Sequence, residues 1–275
     1  MPADYTYEPY PQPPAPPPEF PPPEPPPAPT PWTFKNLLLL AAFTPAALFA
    51  ANLIALALYT LLGPRLGRNP SGRELADNPF FLLAFQTLFY AFLFLFIYLL
   101  VAVISRQPFW EALRWRRLRV LHALGAVAGG ILVAEAIRLT PPILPESESF
   151  PLERLFTSPQ AGYAIGAFAI LVAPFMEELL FRGVLFAVFE NRVGLRFAVF
   201  TTAALFAGLH VPEYWRAWNH VLMILVVGLV FSLARGLSGS LTPSVLLHVG
   251  YNAGMMLGLY FETQHFRTLS QLLAH

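Results

Sequence analysis

Two adjacent carboxylates, Glu177 and Glu178, stand in an otherwise apolar run that reads Ala-Phe-Ala-Ile-Leu-Val-Ala-Pro174-Phe-Met-Glu177-Glu178-Leu-Leu-Phe-Arg182-Gly183. A charged side chain at mid-membrane costs about 2.5 kcal/mol or more, so each of these groups needs a partner, an aqueous cavity or a task. Glu178 and Arg182 are four apart with the acid first, the favourable order for an ion pair on one helical face. Glu177 is rotated by about 100° from Glu178 and finds no cation on its own face. That leaves it free to act as a general base or acid. Pro174 cannot donate to the carbonyl of Ile170, so a kink is expected one turn before Glu177.

Two further motifs follow. Phe206-Ala-Gly-Leu-His210 sets an aromatic ring and an imidazole four apart on one face, and Pro212 then stops the helix. His248-Val-Gly250-Tyr-Asn252 repeats the spacing with an imidazole and a carboxamide. Thr242 is the expected N-cap of that last helix, Pro243 suits its first position, and Gly250 and Gly254 allow a neighbouring helix to come close. Each motif alone has a bland explanation: an interfacial histidine for His210, as for His122 and His220, or interhelical hydrogen bonding for His248 and Asn252. Together they supply what amide hydrolysis requires. Water must be activated, the tetrahedral oxyanion stabilised and the leaving amine protonated. Glu177 with His210 can perform the first, His248 with Asn252 the second, and protonated Glu177 the third.

The elements that must carry these residues are membrane helices. The chain is 56% hydrophobic, 15% aromatic and 12% charged over 275 residues, too little polar surface to coat a water-soluble globule. Its net charge of +1 gives no reason to expect nucleic acid, and the absence of cysteine removes disulfides, thiolate metal sites and cysteine nucleophiles. Apolar stretches at 36–62, 79–104, 120–139, 161–189, 196–211, 219–235 and 243–261 predict an all-α, polytopic transmembrane bundle of about seven helices, since about 20 residues cross a bilayer core. The fifth and sixth stretches are short, which suits burial within the bundle.

Residues 1–32 hold 16 of the 29 prolines and are expected to form a solvated, disordered tail. Residues 33–154 then form N-terminal membrane helices with a basic interfacial segment, and residues 155–265 the candidate catalytic core. The first apolar run begins too late to resemble a cleaved signal peptide. Arg106, Arg114, Arg116, Arg117 and Arg119 make the loop 106–119 the most basic part of the chain, so it is expected to be cytoplasmic; Arg65, Arg68, Arg73, Arg154 and Arg216 would lie on the other side. Phe109, Trp110, Leu113 and Leu118 alternate with those arginines, as in a short helix whose apolar face rests on the membrane surface.

The three motifs resemble those of the CAAX-processing and bacteriocin-processing proteins, the type II CAAX prenyl endopeptidase or Rce1-like intramembrane proteases. The family pattern is Glu-Glu-x-x-x-Arg, then Phe-x-x-x-His, then His-x-x-x-Asn, and it is met in order by Glu177-Glu178 with Arg182, Phe206 with His210, and His248 with Asn252. The resemblance covers roughly residues 155–262. It implies an endopeptidase in which Glu177 and His210 activate water, His248 and Asn252 form the oxyanion hole, and Glu178, Arg182 and Phe206 support them. It also implies peptide or protein substrates that are prenylated or otherwise tethered to the membrane, and a multi-pass location in the bacterial inner membrane. Members are often described as metalloproteases, and Glu177, His210 and His248 could hold a divalent ion such as zinc. The chain has no His-Glu-x-x-His motif, however, and the reaction can equally be written for a glutamate base without metal.

Three other functions use the same residues differently. A rhomboid-type serine protease would take Ser238 as nucleophile and His248 as base, leaving Glu177 and His210 unexplained. A membrane scaffold or regulator would keep the fold without turnover, and a proton-coupled transporter would use Glu177 as a relay, although no internal repeat is visible.

Overall fold

The computed structural model describes residues 31–63, 75, 77–141, 143 and 155–267. The disordered tail expected over residues 1–32 lies outside them except for its last two residues, as do Arg65, Arg68, Arg73 and Arg154. Among the described residues the regular structure is entirely helical.

The long helices are α1 (Phe34–Leu62), α2 (Pro79–Ile104), α4 (Val120–Arg138), α5 (Pro159–Val193), α6 (Leu195–His210), α7 (Trp218–Ser238) and α8 (Leu241–Glu262); the one-turn α3 (Phe109–Ala112) lies between α2 and α4. Their starts follow from capping. The side chains of Thr33, Asn78 and Ser158 accept backbone N–H bonds at the starts of α1, α2 and α5, and Pro79 and Pro159 occupy the first turn, where no N–H is missed. Five helices, α1, α2, α4, α5 and α7, are long and apolar enough to cross a bilayer, so the chain is a multi-pass membrane protein. The expectation of about seven spans is therefore supported for five. The 16 residues of α6 reach only about 24 Å, short of the roughly 30 Å hydrocarbon core. The polar residues and glycines of α8 lower its hydropathy; most of those in its first half are buried against protein.

Outward-facing leucines and phenylalanines cover the bundle, with Leu121 79% exposed and Leu61 70% exposed, a surface suited to lipid and not to water. Inside, Leu179, Val101, Val188, Leu113 and Leu241 form one buried apolar cluster joining α2, α5 and α8. Glycine contacts fix the rotation of α8. A Cβ on Gly250 would run into the carbonyl of Val127 on α4, and a Cβ on Gly130 into the carbonyl of Leu247, so the two backbones touch at a separation only glycine permits. With α8 held in that rotation, His248 is buried.

Two local expectations change. Phe109 and Leu113 do not rest on the membrane surface; both are buried in the protein core beside Leu241. The segment after α3 is tied to the start of α8 instead, because Leu241 N–H donates to Arg114 O and the Thr242 hydroxyl donates to Arg116 O at 2.7 Å. Thr242 is thereby engaged elsewhere, and the N-cap of α8 is Ser240, whose hydroxyl accepts from Thr242 N–H.

Candidate active site

The site forms where α5 departs from regular winding. The α-helical ladder is interrupted at Val172, just before Pro174, and the chain from Leu179 to Leu185 is wound as a π-helix. Such wider turns re-aim side chains and frequently lie at functional sites. Glu177 and Glu178 stand between the two irregularities, and Arg182 lies within the second.

Glu178 and Arg182 pair as their spacing predicts, with Arg182 Nη1 donating to Glu178 Oε1 at 2.8 Å and neither side chain exposed. The guanidinium is held on every side. Its Nη2 donates to Gly228 O at 2.8 Å, its Nε donates to Ser232 Oγ at 3.3 Å, and its carbon lies 4.8 Å from the Phe206 ring centroid. Ser232 Oγ lies in turn 3.0 Å from Thr202 Oγ1 on α6. A planar cation with donors in fixed directions can thus lock α5, α6 and α7 together around one point.

The same carboxylate oxygen of Glu178 lies 3.0 Å from His248 Nδ1. A carboxylate can only accept, so Nδ1 carries the proton and Nε2 is directed away from Glu178. Nε2 lies 3.7 Å from Glu177 Oε2, too far for a direct hydrogen bond but close enough for one water to touch both. The other oxygen of Glu177 accepts from the Tyr90 hydroxyl at 3.1 Å.

His210 is fixed by its own helix. Its Nδ1 donates to Phe206 O at 2.8 Å, which leaves Nε2 as the basic nitrogen. The Phe206 ring touches both imidazoles, with centroids 4.9 Å from His210 and 5.8 Å from His248. Asn252 donates through Nδ2 to Ala169 O at 2.7 Å, a carbonyl immediately before the break in α5. One amide hydrogen remains for another acceptor.

Glu177, His210, His248, Asn252 and Phe206 all line one cavity of about 500 Å³. Glu178 and Arg182 lie behind its wall. Among the described residues no three or more His, Asp or Glu side chains are gathered so that they could hold a metal ion, so Glu177, His210 and His248 do not fit a divalent ion in this arrangement. Ser238, the nucleophile of the rhomboid alternative, donates its hydroxyl to the Ala234 carbonyl at the end of α7 and does not line the cavity; nothing supports that alternative.

The motifs did not point to three polar neighbours. Tyr90 belongs to a Phe- and Leu-rich stretch of α2, and the only sequence signal for it is that a phenol in an apolar helix needs a partner. Glu213 and Tyr214, in the turn after His210, also line the cavity. Burial raises the Glu213 carboxyl above the usual carboxylate range, with nearby His210 opposing the rise and Glu177 adding to it.

These features define a class: a multi-pass membrane protein with an acid, two imidazoles and a carboxamide around an internal cavity. Residues 159–254 match the family described as type II CAAX prenyl endopeptidase Rce1-like, and everything before Pro159 lies outside the match. The match therefore includes all three motifs and suggests a CAAX-type intramembrane protease. No curated protein and no solved structure matches the chain.

Proposed function

We propose that this protein is an intramembrane endopeptidase that hydrolyses peptide bonds of membrane-associated substrates with a water activated by Glu177. The observation that carries this reading is the single cavity shared by Glu177, His210, His248 and Asn252, with Glu177 Oε2 3.7 Å from His248 Nε2. A water in that gap would give its proton to Glu177 as its oxygen attacks the scissile carbonyl. His210, which lines the same cavity and spends Nδ1 on Phe206 O, assists through its other ring nitrogen. The unused amide hydrogen of Asn252 steadies the carbonyl oxygen as it becomes negative, joined by His248 in the form that carries a proton on Nε2 as well as on Nδ1, the imidazole being oriented by Glu178. Glu177 then passes its proton to the leaving nitrogen, the C–N bond breaks, and an acid and an amine result. No step requires a metal.

The Rce1-like match supports peptides ending in a prenylated cysteine motif as one substrate class; peptide pheromones, bacteriocin leaders and membrane proteins form another, in a bacterial inner membrane. The test compares wild type with Glu177→Gln, both purified in detergent, on an internally quenched farnesylated peptide, alongside the membrane proteomes of cells carrying each. Glu177→Gln should lose cleavage by about 100-fold or more while folding normally, and a precursor should accumulate. Retained cleavage by the folded variant would falsify the role given to Glu177.

A further inference from the structure

A carboxylate has two chemically equivalent oxygens and a soft terminal torsion, so a general base must be told which oxygen to present. Glu177 is not tightly enclosed, with its side chain 23% exposed, and the Glu178–Arg182 network does not bond it. The hydrogen bond to Oε1 comes from Tyr90, 87 residues earlier in the chain, at 3.1 Å.

We propose that Tyr90 is a positioning residue for Glu177: its hydroxyl holds Oε1, which turns Oε2 toward His248 Nε2 and the cavity as the oxygen that receives the proton of water. This inference rests on the protease reading above. The phenol is itself well placed for the task. Its ring lies parallel to that of Phe168, at 6.0 Å between centroids and 8° between planes, which holds the ring plane and with it the position of the phenol oxygen beside Glu177. Phe168 immediately precedes Ala169, the residue whose carbonyl takes the Asn252 amide. One short stretch of α5 therefore anchors both the group that holds Glu177 and the group assigned to the oxyanion. Tyr90 stands on α2, outside the residues that match the Rce1-like family, so this role gives the N-terminal helices a part in the chemistry.

Tyr90→Phe removes the hydroxyl and keeps the ring. On the farnesylated quenched peptide it should lower kcat by about tenfold or more and leave KM within about twofold, because an orientation needed only in the transition state is lost while binding is not. Thermal midpoints of wild type, Tyr90→Phe, Glu177→Gln and the double variant form a cycle that reads the contact without activity. The two substitutions should be non-additive by about 2 °C or more. Additive midpoints overturn the contact. Non-additive midpoints with an unchanged kcat, or with a raised KM alone, overturn the positioning role. A wild-type chain that cleaves no substrate while the midpoints stay coupled overturns the protease reading and the positioning role together, leaving the contact alone.

Discussion

Glu178 and His248 meet at 3.0 Å through Oε1 and Nδ1, and that oxygen is also the one held by Arg182. A pair that looks structural on its own helix thus reaches the imidazole at the cavity. The arrangement is an acid orienting an imidazole, with an arginine orienting the acid. It explains why two adjacent glutamates have different duties: Glu178 is enclosed and held through Oε1 by both Arg182 and His248, whereas Glu177 borders the open space.

Arg182→Ala should reduce the yield of folded protein. It leaves the Glu178 carboxylate buried without its cation, which costs about 3 kcal/mol or more, and it frees the Gly228 carbonyl and Ser232 hydroxyl as well. The check is the monodisperse fraction on size exclusion in detergent and the thermal midpoint. A variant as stable as wild type would remove the case for Arg182 as the lock between α5 and α7.

Gly250→Leu should separate α4 from α8. Even a Cβ at that position meets the Val127 carbonyl, and neither backbone can yield without moving the whole helix. A Gly125→Leu control, where a Cβ meets nothing, should be tolerated. Cleavage and thermal midpoint should fall together in the first variant and hold in the second. Equal behaviour of the two would show that the close approach does not govern the rotation of α8.

Glu213 gives a pH dependence of defined sign. Its carboxyl lies outside the membrane spans and is raised above its ordinary value, chiefly by burial. Between the ordinary carboxylate value and the raised folded value, the folded chain holds a proton that the unfolded chain has released. Stability must therefore fall as pH rises through that window. Glu213→Gln cannot ionise, so its thermal midpoint should exceed that of wild type at about pH 7 and converge with it at about pH 4. A midpoint difference that is constant across this range would contradict the burial of the acid.

The sequence by itself determined what is local and periodic. Helical geometry puts residues four apart on one face, so the Glu178–Arg182 pair and the Phe206–His210 ring contact could be read from spacing alone. The length of the apolar stretches likewise announced membrane helices, because a bilayer leaves the backbone few alternatives. Tertiary structure decided whatever depends on the rotation and tilt of one helix against another. Spacing cannot say that Tyr90 of α2 reaches Glu177, that Glu178 also meets His248, or that Asn252 spends one amide hydrogen on α5. Nor could it say that Phe109 and Leu113 would turn into the protein, while Trp110 stays exposed, when the membrane offers an equally apolar surface. Hydrophobicity distinguishes water from oil, but lipid and protein interior are alike to it, and only packing separates them.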